Sequence, residues 1–174
     1  MTAVPVLETE RLIMRAHRQG DFETYAAFFA HPTASRYIGG PRSREEAWRA
    51  LAYVIGHWTL RGYGMFALED KASGAYVGRC GPYFPEGWPE PEIGWTLMLG
   101  QTGKGYATEA ATRARKWAYE TLGWTTAISL IDARNDTSIR LAERLGAAYE
   151  GPYVHPSYGT MSVYRHPGRE TVLQ

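Results

Sequence analysis

Leu97-Met-Leu-Gly-Gln-Thr-Gly-Lys-Gly-Tyr-Ala-Thr-Glu-Ala110 passes from an apolar run through glycines into a pattern of small residues. Ile93 to Leu99 reads as a strand, apolar throughout and therefore central in a sheet. From Ala107, the residues Ala110, Ala111, Ala114, Trp117, Ala118 and Leu122 form one stripe of a helix reaching Gly123, with Arg113, Arg115, Lys116 and Glu120 on its other faces. Where a strand turns directly into a helix, the first backbone N–H groups lack intrahelical partners and point outward. Glycine at 103 and 105 permits positive φ and close backbone approach, and the helix dipole favours a phosphate or pyrophosphate there. By itself the turn is equally an ordinary strand-to-helix loop.

Two phosphate motifs fail on this stretch. A Walker loop needs a glycine where Met98 stands and a hydroxyl where Gly105 stands. A dinucleotide fingerprint would put Thr108 on its third glycine, with no acidic residue near the offset of about 20.

Toward the N-terminus, Leu12 to Ala16 reads as a strand, and Asp21 as the N-cap of a short helix ending before Pro32. His31 to Pro41 is turn-rich. Ser43 and Glu46 form a capping box ahead of Ala47, Leu51, Val54, Ile55 and Trp58, which recur at helical spacing up to Gly62. Gly64 to Glu69 and Ala75 to Cys80 read as a hairpin, and the aromatic, proline-broken, acidic stretch from Tyr83 to Pro91 as a loop. Toward the C-terminus, Thr125 to Ile131 is a strand. Asn135 or Asp136 caps a helix containing Ile139, Leu141, Ala142 and Leu145, which Gly146 stops. Ala147 to Tyr153 and Thr160 to Arg165 close the chain as strands. The order implies one α/β domain over residues 1–174, a mixed sheet with helices on its faces.

The chain has 174 residues, 44% of them hydrophobic and 21% charged, with a net charge of +1 that is not polarised between its halves. That balance argues against nucleic-acid partners and an anionic membrane surface. Cys80 is the single cysteine, which excludes a disulfide scaffold and a zinc ribbon. No histidine has zinc-ligand spacing, so no metal is expected. The first residues lack the pattern of a signal peptide and no apolar run is long enough to span a bilayer, so the expectation is a cytoplasmic protein.

The glycine turn resembles motif A of the GNAT superfamily of acyl-CoA-dependent N-acetyltransferases, Q/R-x-x-G-x-G/A. Gly105 and Ala107 stand on its small positions, and Thr102 replaces the Q/R with Gln101 one residue early. Leu7-Glu-Thr-Glu-Arg-Leu-Ile-Met-Arg15 resembles the opening strand of the branch containing the Rim-type ribosomal-protein N-terminal acetyltransferases, and Glu92-Ile-Gly-Trp95 its fourth strand. Asn135-Asp-Thr-Ser-Ile-Arg-Leu-Ala-Glu-Arg-Leu-Gly146 resembles motif B. The resemblance implies a mostly antiparallel GNAT-like sheet with helices on both faces, splayed between the fourth and fifth strands. Acetyl-CoA as co-substrate would lie in that gap, its pantetheine on backbone near Leu97 and Leu99 and its pyrophosphate on the amides of Thr102, Gly103, Lys104, Gly105, Tyr106 and Ala107. It also implies direct transfer of acetyl to a primary amine in a ternary complex, the Rim-type likeness favouring a protein or peptide α-amine. A polyamine or antibiotic amine is the alternative acceptor, and a non-catalytic acyl-CoA sensor a third reading.

Such a transfer needs a neutral amine, a stabilised oxyanion and a proton for the leaving thiolate. At pH 7 an ε-amine costs roughly 4.6 kcal/mol to deprotonate and an α-amine only about 1 to 1.4. The resemblance makes Glu92 the candidate base; equally it is a solvated glutamate, or one of three carboxylates with Glu86 and Glu90 that attract a cationic amine. Many relatives carry an acidic tyrosine where this chain has Ala142. Ser138 matches a Rim-type serine near the coenzyme sulfur and could donate the proton, or it satisfies a helix N–H. Asn135 is a cap, a pantetheine contact, or both. Lys104 is a solvent-facing phosphate neighbour, and Arg140 and Arg144 lie on the motif B helix within reach of coenzyme phosphates. Cys80 reads as a core residue rather than an acyl carrier. Tyr37, Tyr83, Phe84, Trp88, Tyr153 and Tyr158 either line an acceptor pocket or cover sheet edges. A homodimer is the default expectation for an enzyme of this kind.

Overall fold

The computed structural model describes residues 3–174. Ser43 opens the longest helix, α3 (Arg44–Arg61): its hydroxyl accepts from the Glu46 amide (3.2 Å) and the Glu46 carboxylate accepts from the Ser43 amide (2.8 Å). The box therefore satisfies two orphan donors reciprocally. Before α3 come α1 (Phe22–Ala30) and a single turn, α2 (Pro32–Ser35); after it come α4 (Tyr106–Thr121), α5 (Asp136–Arg144) and a terminal turn, α6 (Arg169–Val172).

The strands are β1 (Leu7–Glu8), β2 (Leu12–Arg15), β3 (Phe66–Asp70), β4 (Tyr76–Tyr83), β5 (Glu92–Leu97), β6 (Ile128–Asp132), β7 (Ala148–His155) and β8 (Gly159–Arg165). They form one sheet in the order β1-β2-β3-β4-β5-β6-β8-β7, antiparallel except where β5 meets β6. The fourth and fifth strands of the sequence reading are thus β5 and β6, because β1 is too short to show a period. Alternation along β3 divides the core: Phe66 and Leu68 pack with Trp117, Ala110 and Ala114 of α4, while Ala67 faces Phe22, Tyr25 and Phe29 of α1 and Leu51 of α3. Helices accordingly cover both faces of the sheet.

Four local expectations are corrected. Tyr83 belongs to β4, not to a loop; β3 pairs no further than Phe66 opposite Cys80, so Pro82 lies where β4 has a neighbour on one side only, a setting that tolerates a residue without an N–H. Asp21 stands at the N-cap position of α1 but its side chain makes no cap bond to that helix; Oδ2 accepts from the preceding Arg18 amide (2.9 Å). Its two oxygens instead accept the Arg15 guanidinium at 2.8 and 2.9 Å, a bidentate charged pair that outcompetes a neutral cap bond. Ile55 is exposed, whereas the other four residues of its stripe are buried. Arg115 is buried because its guanidinium reaches across to the Leu145 carbonyl (2.5 Å) and to His166 Nδ1 (3.1 Å).

Candidate active site

β5 and β6 pair in parallel at a single register, Glu92 opposite Ile128, where the Ile128 amide donates to the Pro91 carbonyl (3.0 Å). Beyond it the strands diverge, and side chains take up the backbone groups that a continuing ladder would use. The Leu130 amide donates to Glu92 Oε1 (3.2 Å), and Ser129 Oγ donates to the Ile93 carbonyl (2.7 Å). A buried chain fixes Ser129. Arg115 can only donate, so His166 Nδ1 accepts and His166 Nε2 carries the proton that it gives to Ser129 Oγ (2.9 Å). Burial, together with the Arg115 charge, holds His166 down to about 3, so this imidazole is neutral. The apex of the opening is thus built into the packing.

On one side of the opening lies a cleft of about 1050 Å³. It is lined by Leu97, Leu99, Thr102, Gly103, Gly105, Ala107, Asn135 and Ser138 among the residues singled out from the sequence. Gly105 is the N-cap of α4, with φ +83° and no side-chain cap bond, and Gly103 has φ +78°. No protein acceptor meets the amides from Thr102 to Ala107 among the described residues. These amides and the dipole of a sixteen-residue helix fit a diphosphate. The turn is held from outside: Arg11 donates to the Lys104 carbonyl (2.8 Å) and pairs with Glu109 (2.7 Å). Sequence reasoning missed that clamp, whose partners lie almost a hundred residues apart.

Three predicted coenzyme residues do not line the cleft with the others. Lys104 Nζ donates to Gln101 Oε1 (3.0 Å) and Tyr106 gives its hydroxyl proton to Asp70 (3.1 Å), so only their backbone amides stay in the turn. Arg140 is exposed and outside the lining, because two residues on from Ser138 is about 200° around the helix. Arg144, about a turn on from Leu141, does line it, as does Arg134, which Asp132 grips with both oxygens (2.7 and 2.9 Å). Arg134 directly precedes Asn135, and only that adjacency could have drawn notice to it.

Asn135 Oδ1 accepts from the Ser138 amide (3.2 Å) and so caps α5. The Ser138 hydroxyl is not used as a cap: its oxygen accepts from the Trp95 indole N–H (3.2 Å), which leaves its own proton to donate into the cleft. Ala142 is fully buried against Ile131 and Tyr164, so the place of the usual tyrosine is core. Cys80 is fully buried among apolar side chains, and burial pushes its thiol pKa up, far from a reactive thiolate.

Adjoining the cleft is a second cavity of about 430 Å³, walled by Tyr37, Tyr83, Trp88 and Tyr158; Phe84 and Tyr153 are not part of it. The two cavities share Tyr37, Ile38, Glu92, Gly94, Trp95, Thr96 and Leu130, so they meet at the opening of the sheet and beneath the segment that follows α2. Glu92 is only 7% exposed, which overturns its reading as a solvated glutamate. Burial pushes its pKa up to about 7, against the pull of hydrogen bonds from Trp88 Nε1 (2.5 Å) and the Leu130 amide. A carboxyl of that strength exchanges protons with an amine near neutral pH. Glu90 is taken by Arg165 with two 2.8 Å bonds and Glu86 lies exposed beside Arg61, so the three glutamates do not form one acidic patch. Among the described residues no three His, Cys, Asp or Glu side chains converge as a metal site, and no helix is long and apolar enough to cross a membrane.

A family model described as an acetyltransferase (GNAT) domain matches residues 11–148. An uncharacterized Bacillus subtilis protein, YkkB, is 30% identical over 157 residues, covering 86% of this chain and 88% of its own. The crystal structure of an acetyltransferase from Agrobacterium tumefaciens superposes with a TM-score of 0.85 at 33% identity, over 95% of this chain and 96% of that one. A ribosomal-protein-S5-alanine acetyltransferase from Vibrio fischeri shares the fold, with a TM-score of 0.70 at 17% identity over 94% and 96% of the two chains.

Proposed function

Since this chain belongs to the GNAT family and is an acetyltransferase, we propose that it acetylates a primary α-amine at the N-terminus of a protein or peptide, with Glu92 as base and Ser138 as acid. The observation that carries this reading is the meeting of two cavities at one buried carboxyl. The coenzyme, the family's co-substrate, supplies an activated acetyl group as a thioester. The amides of Thr102 to Ala107 hold its diphosphate, and the divergent edge of β5 near Leu97 and Leu99 offers backbone to its pantetheine arm. The acceptor enters through the adjoining aromatic cavity.

Glu92 removes the amine proton, directly or through one water. Its pKa of about 7 lies close to the roughly 7.7 to 8 of an α-amine, so the transfer is nearly balanced, whereas an ε-amine near 10.4 would leave about 4.6 kcal/mol to be found at pH 7. The new bond joins the amine nitrogen to the acyl carbon as the carbon–sulfur bond breaks. Ser138 donates its hydroxyl proton to the departing sulfur and regains one, through water, from the nitrogen as it sheds its second proton to become an amide; the Trp95 indole, bonded to the same oxygen, steadies the serine throughout.

The test is thiol release with acetyl-CoA and a panel of peptides, polyamines and aminoglycosides. The expected result is turnover confined to peptides with a free α-amine and abolished by blocking it. Coenzyme binding by calorimetry without acceleration of any acceptor would overturn the reading in favour of a sensor. Turnover of polyamines or aminoglycosides alone would overturn the α-amine.

A further inference from the structure

The acceptor cavity holds two cations that no carboxylate among the described residues pairs with. Arg79, on β4 directly opposite Thr96, donates to the Tyr25 hydroxyl (3.1 Å) and lies over the Tyr25 and Phe29 rings, 5.5 and 5.9 Å from their centres. Arg42 stacks on the same Phe29 ring at 4.4 Å and gives one bond to the Ile38 carbonyl (3.3 Å). Both line the cavity that contains Glu92. Arg15 and Arg165, also partly buried, bind carboxylates, Asp21 with Glu69 and Glu90 with Glu150; Arg115, which has none, is held by the Leu145 carbonyl and His166 inside the packing and not in a cavity. A guanidinium has five donors in a planar fork suited to a carboxylate, and Arg79 spends its donors on neutral hydroxyls alone. Removing a cation from water without an anion is costly, and a ligand that brings the anion recovers that cost.

We infer that the acceptor is acidic: a carboxylate near the N-terminus of the peptide seats on Arg79 and Arg42 while its α-amine reaches Glu92. This rests on the α-amine reading above. The spacing decides which carboxylate. Arg79 pairs with Thr96 and Tyr83 with Glu92, so the cationic end lies four strand residues from the base, about 13 Å along β5. The carboxylate of a free α-amino acid, one carbon from its amine, is too close to span that distance. An acidic side chain one to three residues into an extended peptide matches it. The tyrosine walls, Tyr25, Tyr37, Tyr83 and Tyr158, supply further hydroxyl donors and flat apolar contact for the intervening backbone.

The experiment compares kcat and KM for matched tetrapeptides with Glu, Gln or Lys at the second or third position, in the wild-type enzyme and in Arg79→Met and Arg42→Met. Thermal unfolding and acetyl-CoA calorimetry confirm that the variants fold. The wild type is expected to favour Glu over Gln at least tenfold and over Lys more strongly, mainly through KM. Arg79→Met brings the Glu-to-Gln ratio toward one, and Arg42→Met lowers it less. Equal rates for Glu, Gln and Lys peptides in the wild type, or an unchanged Glu-to-Gln ratio in Arg79→Met, would overturn the inference. A second arm offers free amino carboxylates, from an α-amino acid to long ω-amino acids. Turnover of the long ω-amino acids, sensitive to Arg79→Met, with no turnover of any peptide, would sustain the anion site and sink the peptide α-amine.

Discussion

Trp88→Phe is the most informative single change, because it removes one hydrogen bond from Glu92 and little else. The phenyl ring retains the apolar neighbours of the indole, Tyr83, His155 and Tyr158, whose centres lie 4.8 to 6.0 Å away. What is lost is the 2.5 Å bond from Nε1 to Oε2, which favours the ionised carboxylate and opposes the effect of burial. A hydrogen bond to a charged group is worth about 1.5–3 kcal/mol. At 1.36 kcal/mol for each pH unit, its removal moves the Glu92 titration upward by about one to two units from about 7. The assay is kcat/KM against pH by thiol release, using one peptide for both enzymes so that the deprotonation of the acceptor is common to them. In the wild type the activity limb set by Glu92 rises through about pH 7; in Trp88→Phe it rises through about pH 8 to 9, with a plateau close to that of the wild type. A limb that stays put, or moves to lower pH, would refute the assignment of Glu92 as the titrating base.

Other consequences follow from the same contacts. Glu92 is harder to ionise in the fold than in the unfolded chain, where 4.5 is usual. Its contribution to stability is therefore complete below about pH 4.5 and declines as pH rises toward 7, by roughly 3 kcal/mol in total. Glu92→Gln should abolish that decline in urea melts taken across this range, along with most of the turnover. Ser138→Ala should lower kcat by about a hundredfold or more with acetyl-CoA affinity nearly unchanged, as calorimetry against steady-state kinetics will show. Ser129→Ala strands the Ile93 carbonyl and His166 Nε2 in the interior and should cost about 1–3 kcal/mol by denaturant titration. Gly105→Ala forces a side chain to φ +83° and sets its Cβ 3.1 Å from Arg11 Nη2. It should cost about 1–2 kcal/mol of stability and weaken acetyl-CoA binding, read by calorimetry.

The fold was legible where local rules act alone. The Ser43 and Glu46 box, the alanine stripe of α4 and the glycine turn each carry their instruction within a few residues, and the structure realises all three. The site was legible as a set of segments and not as a set of contacts. Nothing in the acidic loop announces that Glu92 turns inward, because its burial depends on Trp88 folding over it and on Leu130, 38 residues later, opening its amide toward it. Trp95 reads as a core aromatic, and its bond to Ser138 crosses 43 residues. Arg115 fell on a polar face by helical arithmetic, yet the groups that receive it, the Leu145 carbonyl and His166, lie 30 and 51 residues further along the chain. Arg140 failed in the opposite way, since a motif places a helix beside the cleft without saying which of its faces looks in.

At the centre stands the proposal that one opening in the sheet serves two ligands through two adjoining cavities. Nitrogen-resolved NMR of the backbone and indole N–H groups, with the two ligands added separately, tests it most directly. Acetyl-CoA should shift the amides of residues 102 to 107 and the Trp95 indole, while a peptide acceptor should shift the Trp88 indole and leave those loop amides in place. Both ligands perturbing the same resonances, or acetyl-CoA leaving residues 102 to 107 untouched, would contradict the account.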